Sequence, residues 1–230
     1  MTSPGSKIPP AVRAEDLALL ARRFYVDGPW LMRKMMHFRI HICPFERLIP
    51  HVKPGSSVLD VGCGAGLFLA LLTGTVQHVA GTGFDTSEPA IQTALRMVEH
   101  VRKLGLPAEL GFLRLDAAEQ WPSGQFDVVS VIDVMHHVPP AYQDRVPGLA
   151  ARSLKPGGLL LYKDMADQPF LPAAMNRLHD LVCAQQWIHY APIDAVEEWA
   201  RQSGLELTYS EATSRLWYRH ELRIFRKPEG

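Results

Sequence analysis

Three glycines on alternate positions follow a carboxylate in Asp60-Val61-Gly62-Cys63-Gly64-Ala65-Gly66, and a second carboxylate, Asp85, closes the next apolar run from His78 to Phe84. Glycine is needed where a chain turns with positive φ or where a ligand must touch bare backbone. The apolar residues ahead of the run read as a strand, and Leu67 to Leu72 behind it as a helix. A helix start presents unpaired N–H groups and the positive end of its dipole to whatever fills the turn. The order strand, glycine turn, helix describes a cradle for a nucleotide-type ligand opening a βαβ unit, with Asp85 placed to accept two ribose hydroxyls. An ordinary strand-to-helix turn would show the same local pattern.

A second group of chemistry-bearing residues is Asp133-Val134-Met135-His136-His137, just past the apolar run Phe126 to Ile132. In a doubly wound sheet the strand C-termini face the ligand crevice, so these side chains fall beside the cradle. A histidine there can take a proton from an acceptor, or simply pack against the ligand. His189, Tyr190 and His220 are further groups of the same kind, and each alone reads equally as a partly buried polar residue.

The elements that must hold these groups follow from periodicity. Residues 1–10 are polar and Pro-rich and read as a disordered leader. Leu17, Leu19, Leu20 and Phe24 recur at helical spacing, predicting a helix from Ala11 to about Tyr25. Trp30 to Ile49, rich in Met and apolar residues, predicts a second helix, so 11–53 form a helical cap before a domain over 54–230. Ser87 is placed as N-cap of a helix reaching Leu104, with Pro89 in its first turn and Gly105 after its end. Glu109 to Leu115 and the nearly all-apolar Phe126 to Ile132 read as strands, the latter covered on both faces of a parallel sheet. A helix then runs from Pro139-Pro140 to about Leu154, and Lys155-Pro156-Gly157-Gly158 turns into a strand, Leu159 to Lys163. The alternation then breaks at about 165–192, an insertion too long for a connector that holds Met165, Phe170, Met175, His179, Trp187, His189 and Tyr190 and reads as a lid. Asp194 and Glu197 form a capping-box pattern for a helix that Gly204 closes, and Leu205 to Tyr209 with Leu216 to Phe225 make a terminal antiparallel pair.

Length and charge set bounds. The 230 residues suffice for one well-buried domain with a modest cap. Twenty-four basic residues balance 24 acidic ones, which gives no support for nucleic-acid binding. Residues 1–53 carry nine Lys/Arg against four Asp/Glu, and 214–230 carry five against two, leaving room for an anionic or carrier-bound ligand. Scattered solvated charge explains the same counts. Three cysteines, Cys43, Cys63 and Cys183, have neither disulfide nor zinc spacing; Cys63 reads as packing inside the turn. No stretch approaches the ~20 apolar residues of a membrane span, and the expected setting is cytoplasmic.

The spacing Asp60-x-Gly62-x-Gly64-x-Gly66 resembles motif I of the class I S-adenosylmethionine-dependent methyltransferases, and its glycine interval differs from the dinucleotide fingerprint. The resemblance continues in order through Gly83-Phe84-Asp85-Thr86-Ser87, Leu115-Asp116-Ala117, Phe126-Asp127-Val128-Val129 to His137, and Leu154-Lys155-Pro156-Gly157-Gly158. It covers about Pro54 to Lys163 and is of the small-molecule type, similar to ubiquinone- and menaquinone-biosynthesis enzymes. It implies an α/β, doubly wound, Rossmann-like sheet of seven mostly parallel strands with an antiparallel last strand. It implies S-adenosyl-L-methionine as cofactor, S-adenosyl-L-homocysteine as product, and a small-molecule acceptor, with the chain a monomer or homodimer.

To the cofactor the resemblance assigns Asp60, Gly62, Cys63, Gly64, Gly66, Asp85, Thr86, Asp116, Ala117 and Asp133, with Asp116 on the adenine amino group. To catalysis it assigns His137, where related enzymes often carry a histidine. Ubiquinone-type O-methyltransferases have an arginine near the position of Arg39 that meets the cofactor's methionine carboxylate; a solvated arginine is the alternative. They also have two glutamates and a histidine thought to bind a divalent ion where Asp133, His136 and His137 stand; no metal is assigned here. Neither Asn-Pro-Pro-Tyr nor Asp-Pro-Pro-Tyr follows the fourth strand, which argues against the base- and glutamine-N-methylating branches. The apolar, Met-rich lid points to O- or C-methylation of an aromatic, polyketide or lipid-like acceptor. Two readings compete: a protein that binds the cofactor without turnover, and a nicotinamide-dependent oxidoreductase, for which no Tyr-x-x-x-Lys pair is found.

Overall fold

The computed structural model describes residues 12–117, 121–166, 189–215 and 218–230. The leader, most of the lid insertion (with Phe170, Met175, His179, Cys183 and Trp187) and Trp217 lie outside the described residues. Seven strands, β1 (Ser57–Val61), β2 (Ala80–Asp85), β3 (Glu109–Arg114), β4 (Phe126–Ile132), β5 (Leu154–Met165), β6 (Glu206–Arg215) and β7 (Tyr218–Arg226), form one sheet in the order β3-β2-β1-β4-β5-β7-β6. β1 to β5 pair in parallel, and β7 runs antiparallel to both β5 and β6. From β1 the chain steps outward through β2 to β3, then returns to the other side of β1 as β4. That reversal opens a crevice at the strand C-termini between β1 and β4.

Period-two alternation sorts the strand side chains into two cores. Val58, Val128, Ile132, Leu161, Leu222 and Ile224 face one way, toward α4 (Leu67–Thr75), α5 (Glu88–Lys103) and the N-terminal helices α1 (Ala14–Phe24) and α2 (Trp30–Ile42). Leu59, Val61, Val129, Val131, Leu160, Tyr162 and Phe225 face the other, toward α7 (Arg145–Ser153) and α8 (Ile193–Gln202). The N-terminal helices share a continuous core with the sheet: Leu17, Phe24, Met36 and Ile40 are buried with Phe68 and Leu72.

Several local expectations hold. Ser87 caps α5, its hydroxyl accepting from the Ala90 N–H at 3.4 Å, and Pro89 sits in the first turn. Gly204, at φ 78°, closes α8 through Gly204 N–H to Arg201 O and Leu205 N–H to Ala200 O, the paired bonds of a Schellman motif. Three details differ. The helix expected over Trp30 to Ile49 stops at Ile42, because Pro44 cannot continue it, and restarts as the single turn α3 (Phe45–Leu48). The Asp194/Glu197 capping box does not form: α8 begins after Pro192 with no side-chain cap, and Glu197 is drawn instead to Arg223 at 2.5 Å. The segment Lys155-Pro156-Gly157-Gly158 is taken up into β5, with a register shift opposite Phe126/Val128.

Candidate functional site

Gly62, Gly64 and Gly66 all have positive φ (60°, 53° and 76°), the region that L side chains avoid. Their surroundings differ. A Cβ on Gly62 would lie 2.6 Å from a Val134 methyl, and one on Gly66 would lie 2.5 Å from the Phe112 ring, so the fold itself demands those two. A Cβ on Gly64 would meet nothing within 4 Å. Gly64 is therefore where the turn offers bare backbone to open space, as a bound ligand requires. The Cys63 N–H donates to Phe84 O at 2.9 Å and the Gly66 N–H to Cys63 O, which fixes the loop between β1 and α4. Cys63 packs under the turn against Gly83, and burial pushes its thiol well above the usual range.

Asp85, at the end of β2, closes the cradle. Its Oδ2 accepts the Gly64 N–H at 2.9 Å and its Oδ1 the Ser87 N–H at 2.8 Å. Thr86 is exposed beside it, and its carbonyl accepts from the Arg114 guanidinium. Asp116 is exposed just past β3, with Ala117 next to it; Trp121 Nε1 donates to the Ala117 carbonyl at 2.8 Å, and the Trp121 ring packs tilted against that of Phe84. Asp60 lies beneath the turn, 2% exposed. Its register partner on β4 is Ser130, whose hydroxyl donates to Asp60 Oδ1 at 2.7 Å. Burial pushes the Asp60 carboxyl up to about 7.

The β4–β5 lip is built from charge. Asp133 has φ 56°, rare for a non-glycine residue, although Asp tolerates it better than most. Its N–H donates to Lys163 O, its Oδ1 takes the Lys163 ammonium at 2.5 Å and its Oδ2 the Arg39 guanidinium at 3.0 Å. Lys163 is 1% exposed. Burial alone would raise the Asp133 carboxyl, but Lys163 and Arg39 hold it well below the usual carboxylate range. Alternation along β5 turns the next residue, Asp164, to the opposite face, where its Oδ1 meets His136 Nδ1 at 2.5 Å and its Oδ2 the His136 N–H at 3.3 Å. His136 is buried; His137 is exposed, its ring 4.1 Å from that of His136. Desolvation on the packed side, with His136 alongside, pulls His137 down to about 4, so it is neutral at pH 7. His220 is buried on the cap-facing side of β7, lowered to about 3 by burial and by Lys163. Gln143 secures the histidine turn, its amide donating to the carbonyls of Met135, Val138 and His189.

The structure thus gathers Gly62, Cys63, Gly64, Gly66 and Asp85 into one cradle, directly bonded through Asp85, with Asp60 beneath it. Asp133 and His137 stand across the crevice. Arg39 is not merely solvated but bound to Asp133. Among the described residues, no three His, Cys, Asp or Glu side chains are grouped to hold a metal ion. Sequence reading missed Lys163, Asp164 and Gln143. The first two carried a signal: charged residues at the end of an apolar strand, Lys163 closing it and Asp164 following, need partners where they are buried. Gln143 carried none.

The profile of a family described as "Methyltransferase domain" matches residues 38–210. The ubiquinone biosynthesis O-methyltransferase of Nitrosococcus oceani is 28% identical over 159 residues, 66% of this chain and 64% of that one. The phthiotriol/phenolphthiotriol dimycocerosates methyltransferase 1 of Mycobacterium ulcerans is 34% identical over 129 residues, 55% of this chain and 44% of that one. The chain therefore spans less than two thirds of the length of these relatives. Among solved structures, magnesium protoporphyrin IX methyltransferase from Synechocystis PCC 6803 with bound SAH superposes with a TM-score of 0.65 at 18% identity, covering 90% of this chain and 92% of that one. At that identity the likeness speaks for the fold. With three quarters of its length matched by the family profile and the glycine cradle in place, the chain belongs to the class I S-adenosylmethionine-dependent methyltransferases.

Proposed function

We propose that this chain transfers the methyl group of S-adenosylmethionine to an oxygen or carbon of a small apolar acceptor, aromatic, polyketide or lipid-like. The observation that carries the reading is the open backbone at Gly64, bonded directly to Asp85 at the reversal point of the sheet. The cofactor, when bound, supplies a methyl on a cationic sulfonium leaving group. The chain's own groups bind, orient and exclude water. Each Asp85 oxygen takes one N–H and retains a lone pair for a ribose hydroxyl. Asp116 is offered to the adenine amino group, with Thr86 and Ala117 along the same edge. Asp133 acts through its cations: Lys163 anchors Asp133, and Asp133 holds Arg39 at the crevice, where the guanidinium meets the cofactor's carboxylate. His137, neutral and exposed, takes the proton when the acceptor is a phenol or an activated carbon. Residues 11–53 serve as cap over the acceptor. The relative named a ubiquinone biosynthesis O-methyltransferase supports oxygen as the methylated atom.

Calorimetric titration with S-adenosylhomocysteine, with NADH in parallel, tests the reading. The expected result is micromolar binding of the first alone, weakened by ~1.5–3 kcal/mol in Asp85→Ala through loss of hydrogen bonds to a charged group. Binding of NADH alone, or of neither, overturns it. So does wild-type affinity in the variant.

A further inference from the structure

Helix α2 is apolar on two sides: Met36 and Ile40 are buried against the core, and the outer side is apolar as well. Its solvent side carries Trp30, Leu31, Met35 and Phe38, exposed by 67%, 58%, 48% and 46%. Its inner and flanking positions include Arg33, His37 and Arg39. Leu31, Met35 and Phe38 fall at i, i+4 and i+7, so they form one stripe along the helix. A helix facing water normally carries polar residues on its outer side, and a contiguous exposed apolar stripe marks a contact surface. The polar residues on the same exposed side are Lys34 and His41. Between Asp27 and Glu46 the chain has no Asp or Glu at all, while Arg33, Lys34 and Arg39 are basic. The stripe is thus apolar with Lys34 as its exposed cationic trim, Arg39 being paired with Asp133 and Arg33 donating to the Val26 carbonyl.

We propose that α2 lies flat on an anionic phospholipid surface, with Leu31, Met35 and Phe38 among the acyl chains, Trp30 at the interface, and Lys34 toward the headgroups. A helix of this character seats its apolar face about 5–10 Å into the headgroup and acyl boundary, helped by each cation near a negative leaflet. Tryptophan favours that depth because its ring is amphipathic. A second copy of the chain would cover the apolar stripe equally well, but would set the cationic trim of one α2 against the same trim on the other. The placement also has a use. The same helix supplies Arg39 to Asp133 at the crevice, so a bilayer-dissolved acceptor would reach the site without crossing water. The inference is independent of methyl transfer and is tested without it.

The measurement is flotation of the purified chain with vesicles of phosphatidylcholine plus phosphatidylglycerol, and with vesicles of phosphatidylcholine alone. The wild-type chain should rise with the mixed vesicles and much less with the neutral ones, and should detach as salt screens the charge. Leu31→Gln/Phe38→Gln should weaken binding about tenfold or more by removing inserted apolar surface. Lys34→Glu should weaken it about tenfold on the mixed vesicles alone. All three positions are exposed, so circular dichroism should show an unchanged fold. Failure of the wild-type chain to float overturns the proposal, as does flotation unaffected by the double variant. A dimer in sedimentation that the double variant splits, without vesicle binding, also overturns it and assigns the stripe to a second copy.

Discussion

On the β1–β2 side of the crevice the ligand-facing surface is backbone, shaped by three positive-φ glycines and tied by a single carboxylate that accepts two N–H groups. On the β4–β5 side it is side-chain charge: a lysine, an aspartate and an arginine on one face of the sheet, and a histidine–aspartate pair on the other. The first arrangement needs almost no long-range help. The second exists only because β5 delivers Lys163 and Asp164 to opposite faces beside the same loop. The backbone side should therefore tolerate loss of side chains but not gain of bulk, and the charged side should behave the opposite way.

The largest effect is expected on the charged side. Lys163→Met leaves Asp133 in its buried position with Arg39 alone, and breaking a buried pair from one end costs about 3–5 kcal/mol. Urea denaturation should show that loss, at the low end because Arg39 remains. The double variant Lys163→Met/Asp133→Asn should recover most of it, since the charge left over, on Arg39, is 36% exposed to water, and Asn accepts the positive φ. A single variant as stable as wild type would dissolve the contrast between the two sides.

Asp60 tests the same contrast where the backbone side hides a charge. Its carboxyl rises from an unfolded value near 3.8 to about 7, chiefly through burial. A raised value means the folded state holds the proton more tightly, so this group favours folding most below about 4. Its contribution falls as pH climbs to about 7, and then levels off. The swing is on the order of a few kcal/mol. Asp60→Asn keeps an acceptor for Ser130 and should flatten stability between those limits, read by urea melts at several pH values. An unchanged slope would show that Asp60 stays ionised with support from its neighbours.

These differences explain what could be read from the chain. The cradle spans seven consecutive residues and the carboxylate that ties it, Asp85, closes the next strand, so both were visible as local pattern. The parallel strands were visible too, with Phe126–Ile132 recovered to the residue, because a doubly covered strand is apolar nearly throughout. Arg39 and Asp133 are 94 residues apart and Asp133 and Lys163 are 30 apart, so nothing local joins them. Register joins them, and register follows from the whole sheet. The same long-range pull defeated the capping box: Glu197 had a helix start to bond, but Arg223 on β7 presents a cation, and a pair between two opposite charges outcompetes a carboxylate's bond to a neutral N–H.

Gly62 and Gly64 sharpen the comparison within one loop. Both have positive φ, so a Cβ strains either by about 1–2 kcal/mol. Gly62→Val also drives into Val134 and adds about 1–3 kcal/mol of overpacking, so it should lower the melting temperature markedly. The Cβ of Gly64→Val meets no protein atom within 4 Å, so this variant should stay closer to wild-type stability than Gly62→Val, while S-adenosylhomocysteine binding is lost. If both variants lose stability alike, the space at Gly64 is not the ligand's.

His137→Ala should disturb the molecule least. The residue is exposed, so fold and cofactor binding should stay as they are, while turnover of an acceptor that must lose a proton falls roughly a hundredfold, the low end for general-base catalysis. The low end is expected because a group near 4 is a weak base, although it is unprotonated across the neutral range. The sign of its pH dependence follows. The proton-accepting form persists down to about 4, so kcat should stay level from pH 8 to about pH 5 and decline only below, with no inflection near the ordinary histidine value of about 6.5. An inflection there would mean that the acceptor, or the cofactor's charge beside His137, resets its basicity. A variant as active as wild type would mean that the charged side only orients the acceptor, and that proximity to the methyl group suffices for the reaction.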